Sequence, residues 1–245
     1  MPFTFSHPAI ILPLTYLPKR WFSLTGLIIG SLMPDFEYFL RMKIKSDFSH
    51  TLEGVFLFDL PLGILTAFIF HNIVRNNLFD NLPIFLKSRL VIFKDFNWNI
   101  YFKKNWLIVI FSIIIGTFSH ILWDSFTHDT GYFVQKIEIL NQSVDLFDKQ
   151  IPILKILQHS STFFGAVVIV FSLYKLPKYQ VYSKSINLNY WFAFFIFFII
   201  LLSTFLVTTS AKFAIGNLIV SIISKSMIAL ILTSLLVKTK PKKFI

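Results

Sequence analysis

Cysteine is absent from this 245-residue chain, and charge is scarce. The first absence excludes disulfides, thiolate metal sites and cysteine nucleophiles together, without fixing a redox compartment. The second decides more. Asp, Glu, Lys and Arg make up 14% of the residues, against roughly a quarter in an ordinary soluble domain, so a water-surrounded globule is excluded. Disorder is excluded by the same arithmetic, and no internal repeat is found. Carboxylates are the scarcest charged groups, 12 Asp and Glu against 23 Lys and Arg, for a formal net charge of +11. On a soluble chain that balance would suggest nucleic acid. Here the basic residues flank apolar runs, which argues against a nucleic-acid partner and for charge that sets membrane orientation.

What is present is apolar: 55% hydrophobic residues, 18% aromatic residues and 31 Phe. A membrane span needs about 20 mostly apolar residues. Stretches at 53–73, 105–127, 156–174 and 190–209 qualify, and a fifth at 213–237 is interrupted only by Lys225 and small polar residues. Residues 8–18 and 22–33 are apolar but each about half a span, and Lys19-Arg20 separates them. The expected fold is an all-α polytopic transmembrane bundle, about five full spans plus a short N-terminal helical hairpin. Two domains are expected, a membrane domain at 1–175 and two C-terminal helices at 176–245 packed on the same bundle. No cleavable signal peptide is expected, because the basic pair follows the first apolar run.

The basic connector 75–104, the linker 175–189 and the tail KTKPKKFI are expected to face the cytoplasm. Within the first, LPIFLKSRLVIF reads as an amphipathic interfacial helix. Alternation then places 129–155 outside, with Arg41, Lys43 and Lys45 as the exception on that side.

The six histidines and few carboxylates form a short list of groups able to do chemistry. GTFSHILWDSFTH sets His120, Asp124 and His128 four residues apart, so on a helix they stack along one face over about 12 Å. A His and an Asp one turn apart can share one cation such as Zn²⁺. Isolated polar residues at a span end face water; ionisable groups inside an apolar segment call for partners. The topology carries His7, Asp35, His50, His120, Asp124, His128 and His159 to the same outer side. Asp35 follows Pro34, a helix terminator from which its carboxylate can turn inward. His7 and His50 read as ligands or as loop and cap groups, with Ser49 and Thr51 as N-caps. His128 is a second-metal ligand or an exposed residue; His159 is a proton donor, a ligand or a partner to one. Glu37 is a general base or a solvated carboxylate. His71 is expected at the interface without a role. Asp59, just before Pro61, is expected to cap the second half of a broken helix, and Lys225 either snorkels or pairs with Asp59.

MPFTFSHPAIILPL, GSLMPDFEYFLR, SHTLEGVFLFDLPLG, GTFSHILWDSFTH with TGYF, and LQHSST together resemble a bacterial integral-membrane family known as domain of unknown function 4184, from Met1 to about residue 175. That resemblance implies no activity. A looser one does: His7, Pro34-Asp35, His50 and Ser119-His120-x3-Asp124 follow the order seen in inner-membrane proteins described as metal-dependent hydrolases. The same order resembles that of zinc-dependent phospholipases C. The chain departs from the latter in having Ser160, Ser161, Thr162 and Phe163 after His159, where that family has His-x3-Glu, which points to one or two ions instead of three. The resulting expectation is a metal-dependent hydrolase of the bacterial inner membrane. It would use His7, Asp35, His50, His120, Asp124 and His128 as zinc ligands and Glu37 or His159 for proton transfer. It would act on a phosphoester or other ester of a lipid-like substrate, with membrane lipid as its surroundings. The alternative is a non-catalytic transporter or assembly factor with a structural metal or polar site.

Overall fold

The structure is a computed structural model that describes residues 3–18, 20–146, 148–181, 186–208 and 214–237. Lys19, residues 182–185 of the basic linker and the tail KTKPKKFI, the last two used above to orient the chain, lie outside the described residues. Five helices are long and apolar enough to cross a membrane: α4 (Leu52–Asn81), α6 (Trp98–Asp124), α8 (Ile153–Lys175), α9 (Leu188–Thr208) and α10 (Ile215–Leu236). They mark a multi-pass membrane protein. The shorter helices are α1 (Pro8–Ile11), α2 (Leu24–Gly30), α3 (Phe36–Arg41), α5 (Ile84–Leu90) and α7 (Tyr132–Lys136). Large apolar side chains stand exposed along α8 and α9, among them Phe163, Phe164, Phe171, Phe192 and Phe195. Water would oppose such a surface, whereas hydrocarbon accepts it.

The N-terminal hairpin forms as two short helical pieces, α1 with its 3-10 extension Leu12–Tyr16, and α2. The structure departs from the sequence reading in several elements. α4 does not break at Pro61. It runs on through a π-turn at Val55–Asp59, in which the Leu60 N–H bonds the Val55 carbonyl. The wider turn makes room for the proline ring and its missing N–H without ending the helix. A second π-turn, Phe70–Val74, carries the helix eight residues past the expected end. α6 begins at Trp98, and the start expected at 105 is instead a kink at Asn105 (φ −132°, ψ 27°). The loop 129–155 holds a two-stranded antiparallel hairpin, β1 (Ser143–Leu146) and β2 (Lys149–Pro152), whose turn places Asp148 at φ 58°.

The chain divides into two compact units, each assembled from segments that are discontinuous in sequence. One comprises Met1–Phe36, Asp47–Ile64 and Asn105–Lys175. Within it α2 crosses α6 at backbone contact: a Cβ on Gly30 would meet the Ile113 carbonyl, and one on Gly116 would meet the Leu27 carbonyl. Small residues permit that approach, and polar groups stitch it. Ser23 N–H donates to Ser112 Oγ at 2.8 Å and Thr117 Oγ1 to the Gly30 carbonyl at 3.2 Å. α8 holds the N-terminal segment through Ser6 Oγ to the Thr162 carbonyl and Phe3 N–H to Thr162 Oγ1, both 3.0 Å.

The other unit comprises Glu37–Ser46, Leu65–Lys104 and Leu176–Ile245. α9 and α10 pair along their length, Tyr190 Oη and Ser234 Oγ standing 3.1 Å apart. Trp191 Nε1–H donates to the Asn81 carbonyl at 2.8 Å. α5 occupies the middle of the expected interfacial helix, which continues as a 3-10 turn, Val91–Asp95. His71 is buried, contrary to its expected interfacial place. It stacks on Trp98 (4.7 Å, 5°) beside Arg75, whose Nη1 lies 2.9 Å from His71 Nδ1 and donates to the Phe96 carbonyl. Lys225 is also buried, with its Nζ 5.8 Å from the Phe205 ring centre.

Candidate metal centre

Four ligand atoms, one each from Asp35, His50, His120 and Asp124, lie within 4.8 Å of one another. All four residues belong to the first unit. α6 supplies His120 and Asp124 one turn apart at its C-terminal end. Asp35 closes the 3-10 turn Met33–Asp35, where Pro34 has ended the preceding helical run. His50 sits just before α4, and its neighbour Thr51 is the N-cap, accepting from Gly54 N–H. Asp35 and His120 are fully buried, and the Asp124 side chain is 7% exposed.

The distances between these atoms can be set against two geometries. His120 Nε2 lies 3.5 Å from Asp35 Oδ1 and 3.4 Å from Asp124 Oδ2; His50 Nε2 lies 4.0 Å and 3.6 Å from the same two oxygens. A charge-assisted hydrogen bond would close to about 2.7–2.9 Å. A tetrahedral ion with bonds of about 2.0–2.1 Å spaces its ligand atoms about 3.3 Å apart. The observed edges fit the second geometry better than the first.

Hydrogen bonds behind the cluster fix which ring nitrogen faces it. His120 Nδ1 is 2.8 Å from the Ser31 carbonyl. A carbonyl can only accept, so Nδ1 carries a proton, and in the neutral ring Nε2 is left with a lone pair. Ser49 Oγ donates its one proton to the Pro34 carbonyl at 2.6 Å and stands 3.1 Å from His50 Nδ1. The hydroxyl must therefore accept from that nitrogen, which turns the His50 Nε2 lone pair inward too. Asp35 Oδ2 accepts from Thr4 Oγ1 at 2.5 Å, which leaves Oδ1 for the cluster. Asp35 Oδ1, His120 Nε2 and both Asp124 oxygens have no hydrogen-bond partner among the described residues. With both rings neutral, lone pairs converge on one region, an arrangement that could hold a cation.

His7 and His128 adjoin the four. The His7 ring stacks on His120 (3.7 Å, 14°), and its Nε2 is 3.5 Å from Asp124 Oδ1. Burial pushes the His7 pKa down to about 3, so the ring is neutral and able to ligate at neutral pH. His128 Nδ1 donates to the Asp124 carbonyl at 3.1 Å and lies 3.5 Å from Asp124 Oδ2; burial lowers its pKa despite that carboxylate.

The two residues expected to move protons are placed differently. Glu37 is buried, with Oε1 bonded by Arg41 (Nη2 at 2.8 Å, Nε at 2.9 Å) and Oε2 by Ser46 Oγ at 2.9 Å. His159 is exposed in the second turn of α8. Neither is among the four ligand residues. Sequence reading missed Thr4, Ser31 and Ser49 as supports. Only Ser49 carried a signal, its place beside His50, and that suggested a helix cap in place of a link to Pro34.

Fold and site together define a class, a multi-pass helical membrane protein with a histidine–carboxylate cluster at the end of one span. The chain belongs to the family described as Domain of unknown function (DUF4184), which matches residues 1–235. The match passes the last recognisable sequence block near residue 175 and takes in α9 and α10. Comparison with curated proteins and with solved structures returned no match. The likeness to metal-dependent hydrolases and phospholipases C therefore rests on residue order alone.

Proposed function

We propose that this protein is a membrane metallohydrolase in which Asp35, His50, His120 and Asp124 hold a divalent cation. Mixed nitrogen and oxygen donors favour Zn²⁺. The observation that carries the reading is the set of inward lone pairs at 3.4–4.0 Å, with the tautomers of His50 and His120 fixed from behind. Access supports a catalytic role over a sealed one. The side chains of His50 and His128 are 24% and 27% exposed, while those of Asp35 and His120 are fully buried, so the cluster has one open edge. A cation there supplies Lewis acidity and draws the pKa of water toward neutrality. Hydrolysis of a phosphoester then forms one P–O bond to the water oxygen and breaks the P–O bond to the leaving alcohol, which takes up the proton the water loses. The substrate class is an ester of a lipid-like molecule, because the cluster lies where an apolar span ends. The reading assigns no step to Glu37 or His159. The basic connector 75–104 and linker 175–189 support an open edge on the extracytoplasmic face of a bacterial inner membrane.

A structural metal is the competing reading, favoured by one observation: four protein ligands suffice to close a tetrahedral site. Metal analysis of the purified protein, beside the His120→Ala and Asp124→Ala variants, tests the site. Hydrolysis of phosphodiester and phospholipid substrates in the same preparations tests the chemistry. The expected result is bound metal and turnover in the parent and loss of both in the variants. Equal metal in all three overturns the site, and bound metal without turnover on any substrate establishes the structural reading.

A further inference from the structure

We infer that the cluster holds a second divalent cation, bound by His7 Nε2 and Asp124 Oδ1, with Asp124 bridging the two ions. The inference rests on the metal reading above and adds a position to it. Asp124 presents its two oxygens to different partners. Oδ2 faces His120 and His50 at 3.4 and 3.6 Å, whereas Oδ1 faces His7 at 3.5 Å. Four residues already surround the first position, so His7 is not needed to complete it.

His7 is nevertheless aimed at the cluster and committed to nothing else. It is 1% exposed, and neither ring nitrogen has a hydrogen-bond partner among the described residues. Folded interiors rarely leave a polar group in that state. The segment carrying it is held firmly, by the Ser6 and Phe3 bonds to Thr162 and by the edge of Trp123 against the imidazole (5.7 Å).

The ring stack supplies the spacing. An imidazole ligates in its own plane, along the lone pair of the bound nitrogen. His7 and His120 are nearly parallel, 3.7 Å apart, and both turn Nε2 toward the Asp124 carboxylate. Two such rings aim at two points, not one, separated by about the thickness of the stack. Carboxylate-bridged two-metal sites have their ions about 3.5–4 Å apart. His128 is left out of this assignment, because the nitrogen it turns to the Asp124 carboxylate is Nδ1, 3.5 Å from Oδ2, and that atom already bonds the Asp124 backbone carbonyl. The remaining positions on the second ion fall to oxygen ligands from water or substrate at the open edge. A pair of ions so spaced clamps the attacking and leaving oxygens of an in-line displacement, which narrows the substrate class to phosphoesters.

Full-length protein in detergent, stripped by chelator and titrated with Mn²⁺ alone, tests the inference by stoichiometry and electron paramagnetic resonance. Two equivalents and an exchange-coupled spectrum are expected for the parent. His7→Phe, which keeps the stack on His120, and His7→Gln are each expected to keep one tight equivalent with an uncoupled spectrum. Their second equivalent is expected to weaken at least tenfold. Size-exclusion profiles matching the parent establish that both variants are folded. One uncoupled equivalent in the parent, or two coupled equivalents in the His7 variants, overturns the second position and leaves the first intact. Equal binding by the parent and His120→Ala overturns the metal reading itself.

Discussion

At the scale of single residues, the proposed centre would depend on groups that do not face its middle. Thr4, Ser49 and the Ser31 carbonyl each take up the outward atom of a ligand and so leave the inward atom as a pure acceptor. Removing such a support typically weakens metal affinity 10–100-fold. Thr4→Val is expected to do so through Asp35, and Ser49→Ala through His50, which then loses its tautomer constraint. Competition of the purified variants against a chelating indicator measures both, and parent-like affinity in both would show that the supports do not act. These residues also mark how far the site could be read in advance. His120 and Asp124 announce themselves by spacing, and Asp35 by the proline before it. Supports do not: every residue carries a carbonyl, and hydroxyls are common, so nothing in the sequence distinguishes Ser31 or Thr4 until the chain has folded. His71 was misplaced for a related reason, since its burial depends on Arg75 and Trp98, which only the folded chain brings around it.

At the scale of elements, the contact between α2 and α6 sets the register of the ligands. Gly26, Gly30 and Gly116 let the backbones meet, and Ser112, Gly116 and His120 follow one another at four-residue steps along the facing side of α6. Gly116→Ala places a methyl group against the Leu27 carbonyl. The expected cost is about 1–3 kcal/mol of stability, as for other overpacked cores. The same change draws the Ser31 carbonyl from His120, so metal affinity falls as well. Thermal unfolding in detergent and metal titration of the variant read the two effects separately. The spans themselves were legible from apolar length, because hydrocarbon imposes it. Their ends were not. A π-turn can carry a helix through a proline, and the kink at Asn105 lies inside a helix whose first two turns carry Asn99, Lys103 and Lys104 among aromatic residues. The hairpin β1–β2 was hidden for want of length: four-residue strands in a mixed loop give too little alternation to separate from a turn.

At the scale of the whole molecule, a cation held in the proposed centre would tie together stretches of the first unit that are remote in sequence. Ligand binding to the folded state alone stabilises by about 2.7 kcal/mol when the free ligand stands at a hundred times its Kd. Chelation is therefore expected to lower the thermal midpoint of the parent, and to leave that of His120→Ala where it already is. Orientation in the membrane has its own test, which the lack of cysteine makes clean. In intact cells a membrane-impermeant maleimide is expected to label Asp145→Cys, in the exposed hairpin, and not Lys178→Cys, in the basic linker. The reverse pattern would invert the topology.

The order in which the ligands leave the ribosome has a consequence for assembly. His7, Asp35 and His50 are synthesised early, but the centre lacks half of its four ligands until the far end of α6 emerges with His120 and Asp124. A nascent chain stalled before that point carries isolated imidazoles and one carboxylate with little to gain from an ion. On the proposed reading, metal capture would be deferred to the insertion of the second long span, where it would act as a seal on correctly threaded copies.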